Sequence, residues 1–156
     1  MHQHLFELSI SPIPETERVD QYSFETGDIP HADWWQDEEN RLKAIDNLAL
    51  WLGNYVTVNK KDETITFRPG FKQAWTRNKF EIVKTLVREI AQMSEEEFTN
   101  NGASAIANLK WTVDDDFGTY IYSHEDMYSM TIDQFIRETD LDNTTWYIGG
   151  IIDWHY

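Results

Sequence analysis

The chain has 156 residues and a net charge of −15, from 13 basic and 28 acidic side chains, with no cysteine. That length fits one domain, and 40% hydrophobic with 14% aromatic residues is too apolar for a disordered chain. Disulfides, zinc–thiolate sites, iron–sulfur clusters and thiol nucleophiles are excluded by the missing cysteines.

Residues 4–10 alternate, with His4, Phe6, Leu8 and Ile10 on one side, which predicts a strand closed by Pro12. Residues 11–33 carry Pro12, Pro14, Pro30 and several acids, so a long surface loop or arm is expected. A first helix is expected to open near Asp33 to Asp37, with Asp33 as N-cap. Leu42, Ile45, Leu48, Ala49 and Leu52 would form its buried stripe and Gly53-Asn54 its stop.

Residues 55–58 and 64–67 read as the two strands of a hairpin. A long helix should follow to Met93, burying Phe80, Val83, Leu86, Val87 and Ile90, with Arg77, Lys84 and Arg88 on its other side. Ser94 and Glu97 make a capping box for a short helix that Asn100-Asn101-Gly102 should stop. A further helical turn is expected within 103–109.

Residues 109–113 and 119–123, flanking Asp114-Asp115-Asp116-Phe117-Gly118, predict a second hairpin. Thr131 and Gln134 should cap another short helix. The last strand, 144–154, carries apolar residues on both faces and should be central, with Trp146, Ile148, Gly150, Ile152 and Trp154 on one face. The expected class is α+β: an antiparallel sheet of two hairpins plus the terminal strands, packed against two main helices in a single domain.

The charge is uneven: 1–70 hold 13 acids and 6 bases, 71–110 hold 5 and 6, and 111–156 hold 10 and 1. Such a field repels phosphate backbones and anionic lipid, disfavours direct nucleic-acid or membrane binding, and favours a basic protein partner. Solubility alone explains it equally well. No apolar run nears the ~20 residues of a bilayer span. Met1-His2-Gln3-His4-Leu5 lacks a signal's basic and apolar regions, so the expected location is cytoplasmic.

The chemistry-bearing patterns are few. His2, His4 and His155 could share a metal if the termini met, although solvated histidines are the commoner outcome. Asp114, Asp116 and Glu125 fall at calcium-loop spacing, but Gly118 and Thr119 stand where an acid and a glycine are needed. No phosphate loop, nucleophile elbow or His-Glu-x-x-His is present, so no cofactor and no metal are expected.

The favoured reading is an acidic protein-binding domain that engages a basic protein, with the C-terminal third as its face. Anti-restriction and nuclease-neutralising immunity proteins use the same principle of spaced carboxylates, and the analogy is one of charge only. Trp34, Trp35, Tyr120 and Tyr122 are the expected anchors, and Asp114, Asp115, Asp116, Glu125 and Asp126 the steering charges. The alternative is a small hydrolase or ligand-binding domain using His124 with nearby carboxylates. A structural subunit, marked by an exposed apolar patch, is a third possibility.

Overall fold

The computed structural model describes residues 2–115 and 118–156. Its frame is a seven-stranded sheet: β1 (His2–Ser9), β2 (Trp34–Asp37), β3 (Val56–Asn59), β4 (Thr64–Phe67), β5 (Tyr120–Ser123), β6 (Tyr128–Thr131) and β7 (Thr145–His155). The α-helices are α1 (Arg41–Leu52), α2 (Phe71–Gln92), α3 (Glu95–Asp114) and α4 (Ile132–Glu138). The main strand order is β3-β4-β7-β1-β5-β6. β7 is central: β1 runs along one edge, while β4 and β2 share the other, at 145–147 and 152–155. Pairing is antiparallel except between β1 and β5. The fold is therefore α+β with a mostly antiparallel sheet.

Several expectations are corrected. Residues 34–37 form a strand, and the helix starts at Arg41, where Asn40 caps it by accepting from the Lys43 N–H. Backbone pairing with β7 outweighs the N-cap pattern at Asp33. Leu42 is exposed, and Ala44 takes its place beside Ile45, Leu48 and Leu52.

The helix after the Ser94–Glu97 capping box does not stop at Gly102 but continues to Asp114. Residues 109–113 are helical rather than a strand. The partner of β5 is β6, so the hairpin turns through 124–127 instead of the acidic triplet. Asp116 and Phe117 lie outside the described residues.

Two apolar clusters sandwich the sheet. On one face Phe6, Leu8, Ile65, Phe67, Trp146, Ile148 and Ile151 meet α1, α4 and the first turns of α2. On the other face Leu5, Tyr120, Ile152 and Trp154 are covered by Phe24 and Ile29 of the 11–33 arm, with Val19 and Ala32 alongside. The arm is thus a lid over bare sheet, pinned by buried apolar side chains.

The two faces of β7 exchange along its length. Phe6 pairs with Ile151 but Leu8 pairs with Ile148, so Gly149 and Gly150 bulge opposite Glu7. Beyond the bulge Ile152 and Trp154 point to the arm rather than to the helices, which breaks the simple alternation expected for 144–154. A Cβ at Gly149 would collide with the Glu7 carboxylate, and one at Gly150 with the Val19 carbonyl oxygen.

Only Phe71 is buried in α2, and only Gly102 in α3. The expected α2 stripe is half-buried at Val83, Leu86 and Ile90 and exposed at Phe80 and Val87. The two helices lie against each other as a hairpin whose sides are open to solvent.

Candidate functional site

Glu7 is 0% exposed, on the arm face of β1. A carboxylate so deep needs polar partners. Its Oε2 accepts from the backbone N–H of Gly150 at 2.6 Å and of Val19 at 3.0 Å. Its Oε1 lies 2.7 Å from His124 Nδ1. The His124 backbone N–H donates to Leu8 O, which fixes the β5–β6 turn beside β1. Holding the ring by Nδ1 leaves the other nitrogen as its available donor or acceptor, and the side chain is 35% exposed. Tyr122 stands nearby in the arm cluster, its ring 5.7 Å from that of Phe24. Burial, then the charges of Glu7 and Asp28, push its phenol above the ordinary value.

The neighbouring acids have internal roles. Glu125 accepts from the Ser9 hydroxyl and the Ile10 N–H, while the Asp126 carboxylate accepts from the Ser123 hydroxyl, whose oxygen in turn accepts the Asp126 N–H. Asp114 ends α3 in an ion pair with Lys110, and Asp115 is its left-handed C-cap. Asp114 and Asp115 thus stand at the end of α3, whereas Glu125 and Asp126 belong to the turn after β5, where their carboxylates are engaged by neighbouring donors. Asp116 is outside the described residues.

The expected anchors meet, but as core. Trp35, Tyr120 and Tyr122 all belong to the cluster under the arm. Tyr120 is 2% exposed and offers no ring to a partner. Trp35 is half-buried and donates its indole N–H to Gln21 O of the arm. Trp34 points the other way, 43% exposed, with its ring 6.0 Å from that of His2.

No family model matches this chain, and no curated protein or solved structure does. The functional reading therefore rests on its own residues.

The termini do meet. His2 pairs with His155 across β1 and β7, their rings 5.4 Å apart. Each histidine has its own carboxylate: Asp153 for His2, Glu38 for His4 and Asp33 for His155. Among the described residues no group of three or more His, Cys, Asp or Glu could hold a metal. Among the same residues no helix is long and apolar enough to cross a membrane.

Elsewhere Glu63 binds both Arg18 of the arm and Arg41 of α1, at 3.1 Å each. Burial raises its carboxyl, but the hydrogen bonds and charges of Arg41 and Arg18 outweigh this and hold it below its ordinary value. A cleft of about 500 Å³ beside it is lined by Arg18, Asp62, Thr64 and Tyr147. A second, of about 690 Å³, lies where α2, α3 and α4 converge. His124 lines neither.

Two features escaped sequence reasoning. Glu7 reads as the polar side of a half-exposed strand, yet Gly149-Gly150 inside an apolar strand is a signal for a bulge or close approach. Tyr22 lies in a stretch with no periodicity, and its exposure has no sequence signature.

Proposed function

We propose that this protein acts by binding a basic protein partner, and that the binding face is the acidic arm over the sheet rather than the C-terminal third. The observation that carries this reading is Tyr22, which is 84% exposed within the arm. Glu15, Glu17, Asp20, Glu25 and Asp28 of the arm are all exposed, and its one arginine, Arg18, turns inward to Glu63.

Tyr22 is held in place. It sits in a short 3-10 turn (Gln21–Ser23) closed by Asp20, whose carboxylate accepts from the Tyr22 N–H and the Ser23 hydroxyl. Gln21 is tied at both ends, by its N–H to Asp37 and its carbonyl to Trp35. An aromatic carried on a fixed backbone among carboxylates suits a cationic surface through steering and cation–π contact. Trp34, in the edge strand that lies beside the arm, is a further exposed ring.

The test is capture from native extract on the immobilised chain at low salt, run beside Tyr22→Ala and the triple variant Glu15→Gln, Glu17→Gln, Glu25→Gln. A basic protein retained by the wild type and lost from both variants supports the reading. Equal retention by all three, or none by any, contradicts it.

One observation favours a second reading: a buried carboxylate orients His124, as a general base requires. Hydrolysis of p-nitrophenyl acetate above background, abolished in His124→Gln, would support it, and background rates would dismiss it.

A further inference from the structure

The cleft beside Glu63 lies between the arm and the sheet, with a volume of about 500 Å³. Among its lining residues Ile13, Thr64 and Ile148 are buried, Arg18 and Tyr147 are half-buried, and Asp62 is exposed. Asp62 belongs to the turn between β3 and β4. Thr64 pairs with Tyr147 across β4 and β7, so both side chains stand on the same side of the sheet.

Arg18 cannot satisfy its guanidinium on Glu63. Arg41 already holds that carboxylate with both prongs of its fork, Nε on Oε1 at 3.2 Å and Nη2 on Oε2 at 3.1 Å. Arg18 is left with one contact, Nη1 to Oε2 at 3.1 Å. Its Nε is buried and has no hydrogen-bond partner among the described residues. A guanidinium is best matched by a carboxylate of its own through two parallel bonds. Here one carboxylate serves two arginines. Asp62 does not supply the second: its Oδ2 accepts from Asn59 Nδ2 at 2.7 Å, and among the described residues no ion pair joins it to Arg18. A cation and an anion thus line one cleft without pairing.

We propose that this cleft binds a small amino-acid zwitterion, its carboxylate on Arg18 and its ammonium on Asp62. Charge selects that class. Arg18 and Arg41 balance Asp62 and Glu63, so a ligand with one charge of each sign leaves the site neutral. A phosphate dianion would meet both carboxylates, and a simple cation both guanidiniums. The hydroxyls of Thr64 and Tyr147 can donate to one end or accept from the other. The volume falls within the usual range of small-molecule sites. Because Arg18 belongs to the arm and Asp62 to the β3–β4 turn, the bound ligand ties the arm to the sheet. The cleft is separate from the outward carboxylates and Tyr22, so its failure would leave the proposed binding face untouched.

The test is calorimetric titration of the chain with alanine and with 4-aminobutyrate, beside acetate and ethylammonium as singly charged controls. At least one of the two amino acids should bind with a dissociation constant of about 1 mM or tighter. Acetate and ethylammonium should bind about tenfold more weakly or not at all. Asp62→Asn retains an oxygen for Asn59, and it should weaken the amino acid about tenfold while leaving acetate unchanged. Arg18→Gln should abolish binding of both. Amide exchange at 13–19 should slow when the amino acid is added to the wild type, and should not slow in Asp62→Asn at the same concentration. No heat with either amino acid up to about 10 mM, acetate binding as tightly as the amino acid, or wild-type affinity in Asp62→Asn would overturn the proposal.

Discussion

Glu7 Oε1 lies 2.7 Å from His124 Nδ1, while Glu7 Oε2 accepts from the backbone of Gly150 and Val19. One buried carboxylate thus joins β1, the β5–β6 turn, the bulge in β7 and the arm. Removing its partner leaves a buried charge short of one hydrogen bond. His124→Ala should destabilise by about 2–3 kcal/mol, read as a shift in the urea midpoint at constant slope. A loss below about 0.5 kcal/mol would mean that water replaces the ring at no cost.

The bulge glycines should be intolerant and Gly102 tolerant. Gly150→Ala drives a Cβ into the Val19 carbonyl oxygen, a backbone atom that cannot swing aside. It should cost at least ~2 kcal/mol or prevent folding. At Gly102 the atoms nearest the added Cβ all belong to the Phe98 ring, a half-exposed side chain rather than backbone. There alanine's helix preference of about 1 kcal/mol should make Gly102→Ala neutral or stabilising. Thermal melts of both variants separate the cases.

Acid should weaken the fold through paired carboxylates. Burial raises Glu63, Asp133 and Glu38, but their hydrogen bonds and charged partners prevail and leave all three below their ordinary values of 4.5, 3.8 and 4.5. A carboxyl depressed in the folded state adds stability above its unfolded value and loses it as pH falls through the folded one. Stability should therefore fall as the pH drops below about 4.5. Glu63→Gln should be less stable than the wild type at neutral pH and should approach it in acid. Urea midpoints measured from pH 6 to pH 3 give the test, and parallel curves would contradict it.

The arm should depend on Trp35. Trp35→Phe keeps a ring in the cluster but removes the bond to Gln21 O. Amide exchange at 21–24 should quicken while β1 and β7 keep their protection. Unchanged exchange would show that the buried side chains and the remaining bonds to Glu7, Asp37 and Glu63 hold the arm without the indole.

The legible parts of the fold were those with strong local chemistry. The 64–67 strand, the 71–92 helix, the Ser94 cap and the central last strand all follow from β-branched runs, helical spacing or a capping pair. Three features failed for tertiary reasons. Asp33-Trp34-Trp35 looks like a helix start, but β7 recruits it as an edge strand. Asn100-Asn101-Gly102 looks like a helix stop, but the helix runs on with Phe98 lying over the glycine. The acidic triplet looks like a turn because the β-strand partner of 120–123 lies after it, not before. At the candidate site, the aromatics marked out in the sequence do converge, but beneath the arm rather than on a surface. Burial of Tyr120 and exposure of Tyr22 depend on how the arm folds back, which no local pattern records.

The central claim is that the arm steers and anchors a basic partner. It is tested most directly by the association rate of the captured protein with the wild type and with the Glu15→Gln, Glu17→Gln, Glu25→Gln variant, each across a range of salt concentrations. The account predicts a rate that falls steeply with salt for the wild type, and a slower, flatter dependence for the variant, with dissociation rates little changed. Identical rates and slopes for the two proteins would contradict it.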